Sequence, residues 1–402
     1  MRGHQSRCRS KMKHDKVYHF QEYDLLSSMK AIIFIFIMAL FTTVSLGQEK
    51  QKKQYRHLAF DWGYGDIMPT TEFVEGDNLK GVPLTRYQSY SLKMLWQNPG
   101  YTHWQQVFKA PYYGVGVSLN NFYNADEIGY PVSIYGVIGM PLKRWGKLAI
   151  HSEFQFGMAV GWKHYEAEDN AYNMAIGSPI TVHVTGELNA LYNLTKHTDI
   201  GIGTGFVHFS NGGMERPNRG VNILSTTAKL NYHFGGRPPV SDVKLKTSKP
   251  KKRSLLLMLG YGNHQLVEHE LDTNYFAIGG ISAIYLEQLS QAFRVGIGTD
   301  LNYWWGLNAN PDGTIAPRDE SNLTVGLVLQ PEVIIDRLTL VGGVGIYARH
   351  RNYGDFTEWY QRLGARYDIY KNMSLGVNVR AINFMLAEFM EFNLAYRIDW
   401  VK

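Results

Sequence analysis

The chain has 402 residues, 45% hydrophobic and 13% aromatic, with 40 glycines, 14 prolines and one cysteine. Its mean hydropathy of −0.25 excludes a bundle of membrane helices. The formal charge of +6 makes no case for a nucleic-acid partner, because seven basic and three acidic residues lie before or at Lys30 and the rest carries only about +2.

Residues 1–28 are polar and match no folded element, which leaves Met29 as an alternative start. The run "AIIFIFIMALFTTVSLG" (31–47) follows Met29-Lys30 and ends in small residues. A basic start, a short apolar core and a small-residue end are the pattern of a secretory signal peptide. The alternative, an anchor helix, needs about 20 apolar residues. Residues 1–47 are therefore expected to be an N-terminal extension with an export signal. Cys8 lies within it, so the exported chain is expected to have no disulfide, thiolate metal site or lipidated cysteine.

Beyond the signal the pattern alternates with period two, in long segments rich in Tyr, Phe, Val, Ile and Gly. In "LAIHSEFQFGMAVGW" (148–162) the even positions run Leu148, Ile150, Ser152, Phe154, Phe156, Met158, Val160 and Trp162. The odd positions, from Ala149 and His151 to Gly161, are polar or small. Such segments exceed the five or six residues of ordinary soluble strands. They suit a tilted bilayer crossing with a polar, glycine-rich lumen. A soluble lipid carrier would need the apolar faces inside, and the glycine-rich faces argue against that.

Eight segments fall near 56–67, 86–97, 112–122, 130–142, 147–163, 180–194, 198–210 and 222–234. "GGRPPVSDVKLKTSKPKKRS" (235–254) reads as a linker, and about eight more segments follow to the end. Both halves close on strands ending in aromatics, Tyr232 and Phe234 in one, Tyr396 and Trp400 in the other. The expected fold is all-β: two tandem eight-stranded outer-membrane barrels, 55–234 and 255–402, or alternatively one sixteen-stranded barrel. An even strand count puts the chain ends on the periplasmic side, with hairpins 1–2, 3–4, 5–6 and 7–8 opening outward. "KRWG" and "LTKHT" then make short inner turns and 165–178 a long outer loop, whereas the 99–111 connection is unexpectedly long for an inner turn.

The most informative stretch is "GFVHFSNGG" (205–213). Residues two apart on a strand share a face, so His208 and Ser210 point the same way. Gly201, Gly203 and Gly205 suit the crowded lumen, which turns Phe206, His208 and Ser210 outward. On the next strand Asn222 belongs to the apolar row of Leu224, Ala228 and Leu230. His208, Ser210 and Asn222 should meet at the outer rim, facing lipid. A serine beside a histidine is a nucleophile with its general base, and a third polar group fixes the imidazole tautomer. The plain alternative is polar side chains resting at the headgroup boundary.

"HFSNGGMERPNRGVN" (208–222) resembles the active-site hairpin of the outer-membrane lipid A 3-O-deacylases, grouped with the acyloxyacyl hydrolases. That resemblance implies a barrel with a metal-free, cofactor-free serine-hydrolase site on its lipid-facing wall, in the outer membrane of a Gram-negative bacterium. The implied substrate is an ester-linked acyl chain of lipid A (lipopolysaccharide). It further implies Ser210 as nucleophile, His208 as base and Asn211 near the oxyanion, through its side chain or amide. The family has a glutamate twelve residues after the serine, where this chain has Asn222. An asparagine orients the ring but cannot offset its charge, and Glu215 in the loop is the alternative carboxylate. Phe206 and Leu224 are expected to hold the acyl chain, and Arg216 and Arg219 to meet phosphate. In the second half a loose alignment of 198–213 with 339–354 puts Arg349 and Arg351 where His208 and Ser210 stand. Asn383, Glu388 and Glu391 come without a nucleophile, and rim exposure is expected for Glu388. The competing reading is a non-catalytic structural or binding barrel.

Overall fold

The computed structural model describes residues 53–239, 252–265, 275–305, 322–349, 358–382 and 386–401. The expected export signal, Arg351 and Asn383 lie outside these residues. The first half consists of β1 (Tyr55–Ile67), β2 (Arg86–Gln97), β3 (Tyr112–Asn121), β4 (Gly129–Trp145), β5 (Leu148–Trp162), β6 (Ile180–Asn193), β7 (Thr198–Ser210) and β8 (Val221–Phe234). The second consists of β9 (Lys252–Gln265), β10 (Tyr275–Gln288), β11 (Phe293–Trp304), β12 (Leu323–Ile335), β13 (Leu338–Arg349), β14 (Trp359–Tyr370), β15 (Met373–Ile382) and β16 (Leu386–Val401). Every pairing is antiparallel, β8 closes on β1 and β16 closes on β9. Two closed eight-stranded barrels result, and the sixteen-stranded alternative is overturned. β9 also takes in the last three residues of the segment expected to be linker.

The alternation in sequence becomes an alternation in space. Thirteen residues of β7 at about 3.3 Å each reach about 43 Å, enough to cross a hydrocarbon layer of about 30 Å at the usual tilt. Apolar side chains form the outer wall: Ile202 is 64% exposed, Leu259 60% and Ile297 65%. Polar side chains point inward, which is the reverse of a soluble lipid carrier. Tyr232, Phe234, Tyr396 and Trp400 lie exposed at strand ends, where amphipathic rings suit a membrane interface. No helix among the described residues is long and apolar enough to cross a membrane.

The first lumen is filled rather than open. At the outer mouth Phe73 and Val74 of a short helix, α1 (Glu72–Glu75), pack with Phe122, Trp162, Ile176, Phe209 and Ile223. Trp162 departs from the outward row expected for it. The left-handed Gly161 before it (φ 86°) and a register shift at Gly129 turn it into this plug. Below, Lys93 Nζ lies 2.5 Å from Asp61 and 2.7 Å from Glu153. Lys229 Nζ bridges Asp61 at 2.8 Å and Glu187 at 2.7 Å. Buried charges of this kind persist because each is paired. The second lumen uses arginine instead: Arg362 and Arg380 meet Asp300 at 2.8 and 3.2 Å, and Arg366 pairs with Glu332. Glu388, expected at an exposed rim, is buried and accepts a hydrogen bond from Tyr347 Oη at 2.9 Å. The β15–β16 register shift beside it turns its side chain inward.

The long 99–111 connection also finds its explanation. It folds into α2 (His103–Val107), and Trp104, Val107 and Phe108 join Ile138 and Met140 of β4 in an apolar cluster. The other half of that cluster is Ala292, Val333, Ile335, Leu338 and Leu340, around the short turns of the second barrel. The connection is long because it packs one barrel against the other at their inner ends.

Candidate active site

The β7–β8 register sets His208 directly opposite Asn222 and Phe206 opposite Leu224. All four side chains share the outward row with Ser210. Ser210 is 7% and Asn222 9% exposed, against 60% for Leu224 lower on the same wall. The protection comes from the hairpin itself. A Cβ at Gly220 would stand 3.0 Å from His208 Cε1 and 3.3 Å from Ser210 Cβ, so only glycine lets the returning chain lie so close.

Three side chains form a relay. Asn222 Oδ1 accepts from His208 Nδ1–H at 2.7 Å. That leaves Nε2 unprotonated, and Ser210 Oγ–H donates to it at 2.8 Å. A carbonyl partner on Nδ1 fixes the tautomer in which Nε2 can receive the serine proton, the arrangement general-base activation requires. The trio expected from sequence is therefore brought together on the wall facing lipid.

The next turn holds a departure. Asn211 N–H donates to Asn218 Oδ1 at 2.9 Å, and Asn211 Nδ2 donates to Glu215 O at 2.6 Å and Ser178 Oγ at 3.3 Å. Its amide and side chain both brace the loop, so neither is left for an oxyanion. Gly212 N–H, two residues past the serine, has no acceptor among the described residues. Gly212 and Gly213 are both left-handed, with φ of 69° and 81°. Gly213 N–H donates to Asn211 Oδ1 at 3.0 Å. The β5–β6 loop clamps the hairpin from the other side, through Gly220 N–H to Ala175 O at 2.9 Å and Arg219 N–H to Met174 O at 3.3 Å. Arg219 is exposed and Arg216 half-buried at the outer rim, while the Glu215 backbone serves Asn211. Arg349 is an exposed strand end, paired with Val325 of β12.

A cavity of about 460 Å³ opens on the same wall, lined by Ser152, Gly186, Leu188, Thr204, Phe206 and Leu224 among others. It begins one register pair below His208, since β6 sets Val184 against His208 and Gly186 against Phe206. Nothing lies within 4 Å of where a Gly186 side chain would project, so the missing side chain itself makes the recess. Sequence reasoning named Phe206 and Leu224 but missed Gly186. The signal was there, as the one glycine in an otherwise apolar outward row of β6. For a metal, three carboxylates, Asp61, Glu153 and Glu187, bring oxygens within 4.8 Å of one another inside the lumen. Lys93 and Lys229 already sit among them as the counter-charge.

Fold and wall define an outer-membrane type of barrel with a Ser-His-Asn relay turned outward. Residues 88–231 match the family model of lipid A 3-O-deacylase, and residues 253–400 match that of the acyloxyacyl hydrolase C-terminal domain. With these two matches the chain belongs to the lipid A 3-O-deacylase (acyloxyacyl hydrolase) family. Among solved structures, the outer membrane enzyme PagL is 15% identical, over 42% of this chain and 97% of that one, with a TM-score of 0.29. A triple mutant of the Rhodopseudomonas blastica porin is 9% identical over 86% and 100%, with a TM-score of 0.19. A mutant of the TodX monoaromatic hydrocarbon channel is 10% identical over 88% and 91%, at 0.18. A comparison with curated proteins finds no match.

Proposed function

We propose that this chain is an outer-membrane serine esterase that removes an ester-linked acyl chain from lipid A. The observation that carries the reading is the pair of hydrogen bonds on the two nitrogens of His208, to Asn222 at 2.7 Å and Ser210 at 2.8 Å. Ser210 Oγ attacks the ester carbonyl while His208 Nε2 takes its proton. The tetrahedral intermediate collapses, and the imidazolium returns the proton to the departing sugar hydroxyl. Water, deprotonated by the same ring, then releases the fatty acid and restores the serine. Gly212 N–H is the donor offered to the developing oxyanion, in place of Asn211.

Asn222 determines how good this enzyme is. In the Ser-His-Asp template, replacing Asp by Asn costs about 10⁴ in turnover, mainly through the wrong tautomer. Here the asparagine presents its oxygen to Nδ1, so the tautomer is right and only the missing negative charge is lost. The recess below, with Gly186 at its floor and Phe206 and Leu224 at its side, suits one acyl chain lying along the wall. Arg216 and Arg219 stand at the level of a sugar-phosphate headgroup.

The test is mass spectrometry of lipid A from cells making the wild type or Ser210→Ala. Loss of an acyl chain with the wild type alone supports the esterase. Identical lipid A from both, with each protein folded in the membrane, overturns it in favour of a non-catalytic barrel.

A further inference from the structure

The turn after Ser210 does not end in solvent or lipid. A Cβ on Gly212 would stand 2.9 Å from Met390 Cε and 3.6 Å from Val379 Cγ2. One on Gly213 would stand 3.0 Å from Ala387 O and 3.1 Å from Glu388 O. These four residues belong to β15 and β16, at the outer rim of the second barrel. Val379 and Met390 are directly paired across those strands. Met390 shares its row with Leu394 and Tyr396, which are 41% and 51% exposed on the outer wall, yet it is only 4% exposed itself. The β7–β8 hairpin of the first barrel is what covers it.

We infer that the rim of the second barrel is the platform of the active site, with Met390 as a positioning residue for the Gly212–Gly213 turn. The inference rests on the esterase reading and gives the second half of the chain a part in it. Three features carry it. The contact falls on the two residues next after Asn211, one of them the amide donor left without an acceptor. Both are left-handed glycines with no side chain to pack, and the bond from Gly213 N–H to the Asn211 side chain leaves Gly212 itself unbraced within the hairpin among the described residues. The rest of the loop is braced from the first barrel, by Asn218, Ser178 and the β5–β6 loop, but the side facing Met390 has only the second barrel. Barrel-to-barrel adhesion alone does not require this contact, since the cluster around Phe108 and Ile335 supplies it at the opposite end. The two contacts together fix the barrels at two heights, which stops the turn from rocking away from Ser210.

The experiment uses full-length protein in vesicles of lipid A and phosphatidylethanolamine. Two rates are read: fatty-acid release, and covalent labelling of Ser210 by a fluorophosphonate, which needs no lipid substrate. Met390→Ala is expected to lower kcat and the labelling rate about tenfold together, with KM within about twofold, because it loosens the oxyanion donor and not the acyl recess. Met390→Leu, which refills the space, should restore both to within about twofold of wild type. Val379→Ala should lower both about threefold, and it carries the test if Met390→Ala fails to assemble. A folded Met390→Ala that labels and hydrolyses like wild type overturns the platform, as does a change confined to KM. Wild type inert in both assays is a different failure: it overturns the esterase reading and the platform with it.

Discussion

At the outer end of β7 the first barrel turns a histidine and a serine toward lipid, while the strand that aligns with it in the second barrel, β13, ends in the exposed Arg349. Inside, the two halves are much more alike. Each sets buried carboxylates against buried cations, lysines around Asp61 and Glu187 in one, arginines around Asp300 and Glu332 in the other. A narrow lumen poses the same problem in both barrels, so its solution recurs with either cation. The outer wall carries no such requirement. One barrel sets the hydrogen-bonded trio of His208, Ser210 and Asn222 there, and the other sets Met390 and Val379 of its rim against the first barrel's hairpin.

Substitutions can break this contrast, and the largest effect belongs to the relay. His208→Ala should lower kcat by at least about 10³-fold, whereas Arg349→Ala at the aligned place should leave fatty-acid release within about twofold. Next comes the interior. Lys229→Met takes the cation from Glu187 and leaves Asp61 with Lys93 alone, and Arg362→Met leaves Asp300 with Arg380 alone; each should cost about 1–3 kcal/mol, read as an early unfolding transition in heat-modified gel migration. Adding Glu187→Gln to Lys229→Met should return part of the loss. Asn222→Glu sharpens the comparison in the other direction. A carboxylate on His208 Nδ1 should raise kcat about tenfold by stabilising the imidazolium, and a kcat that stays level or falls removes the relay assigned to Asn222. The smallest effect is at the recess: Gly186→Leu should raise KM for long-chain esters about fivefold and leave kcat nearly unchanged, measured across a series of chain lengths.

Much of this molecule was legible in its sequence because a barrel strand is a local object. Period-two alternation fixes which residues face lipid, so the bounds of β1 to β8 and the convergence of His208, Ser210 and Asn222 followed from parity and one hairpin. What escaped is what depends on distant partners or on irregular backbone. Trp162 turned inward because the backbone at Gly161 breaks the alternation. Glu388 read as a rim charge because Tyr347, its buried donor, lies 41 residues away. Asn211 looked like an oxyanion group because nothing local announces that Asn218, Glu215 and Ser178 already engage it. The long 99–111 connection has its partners, Ala292 and Ile335, on the other barrel, far away in sequence.

One consequence follows from the stopper of Phe73, Phe122 and Phe209 at the outer mouth of the first barrel. With the axial route shut and Ser210 on the outer wall, a lipid substrate of the proposed esterase reaches it from the leaflet. Encounters then scale with surface density in two dimensions. Spreading the same lipid A among inert lipids should slow turnover, whereas diluting the vesicles in buffer should leave each one working at its former pace.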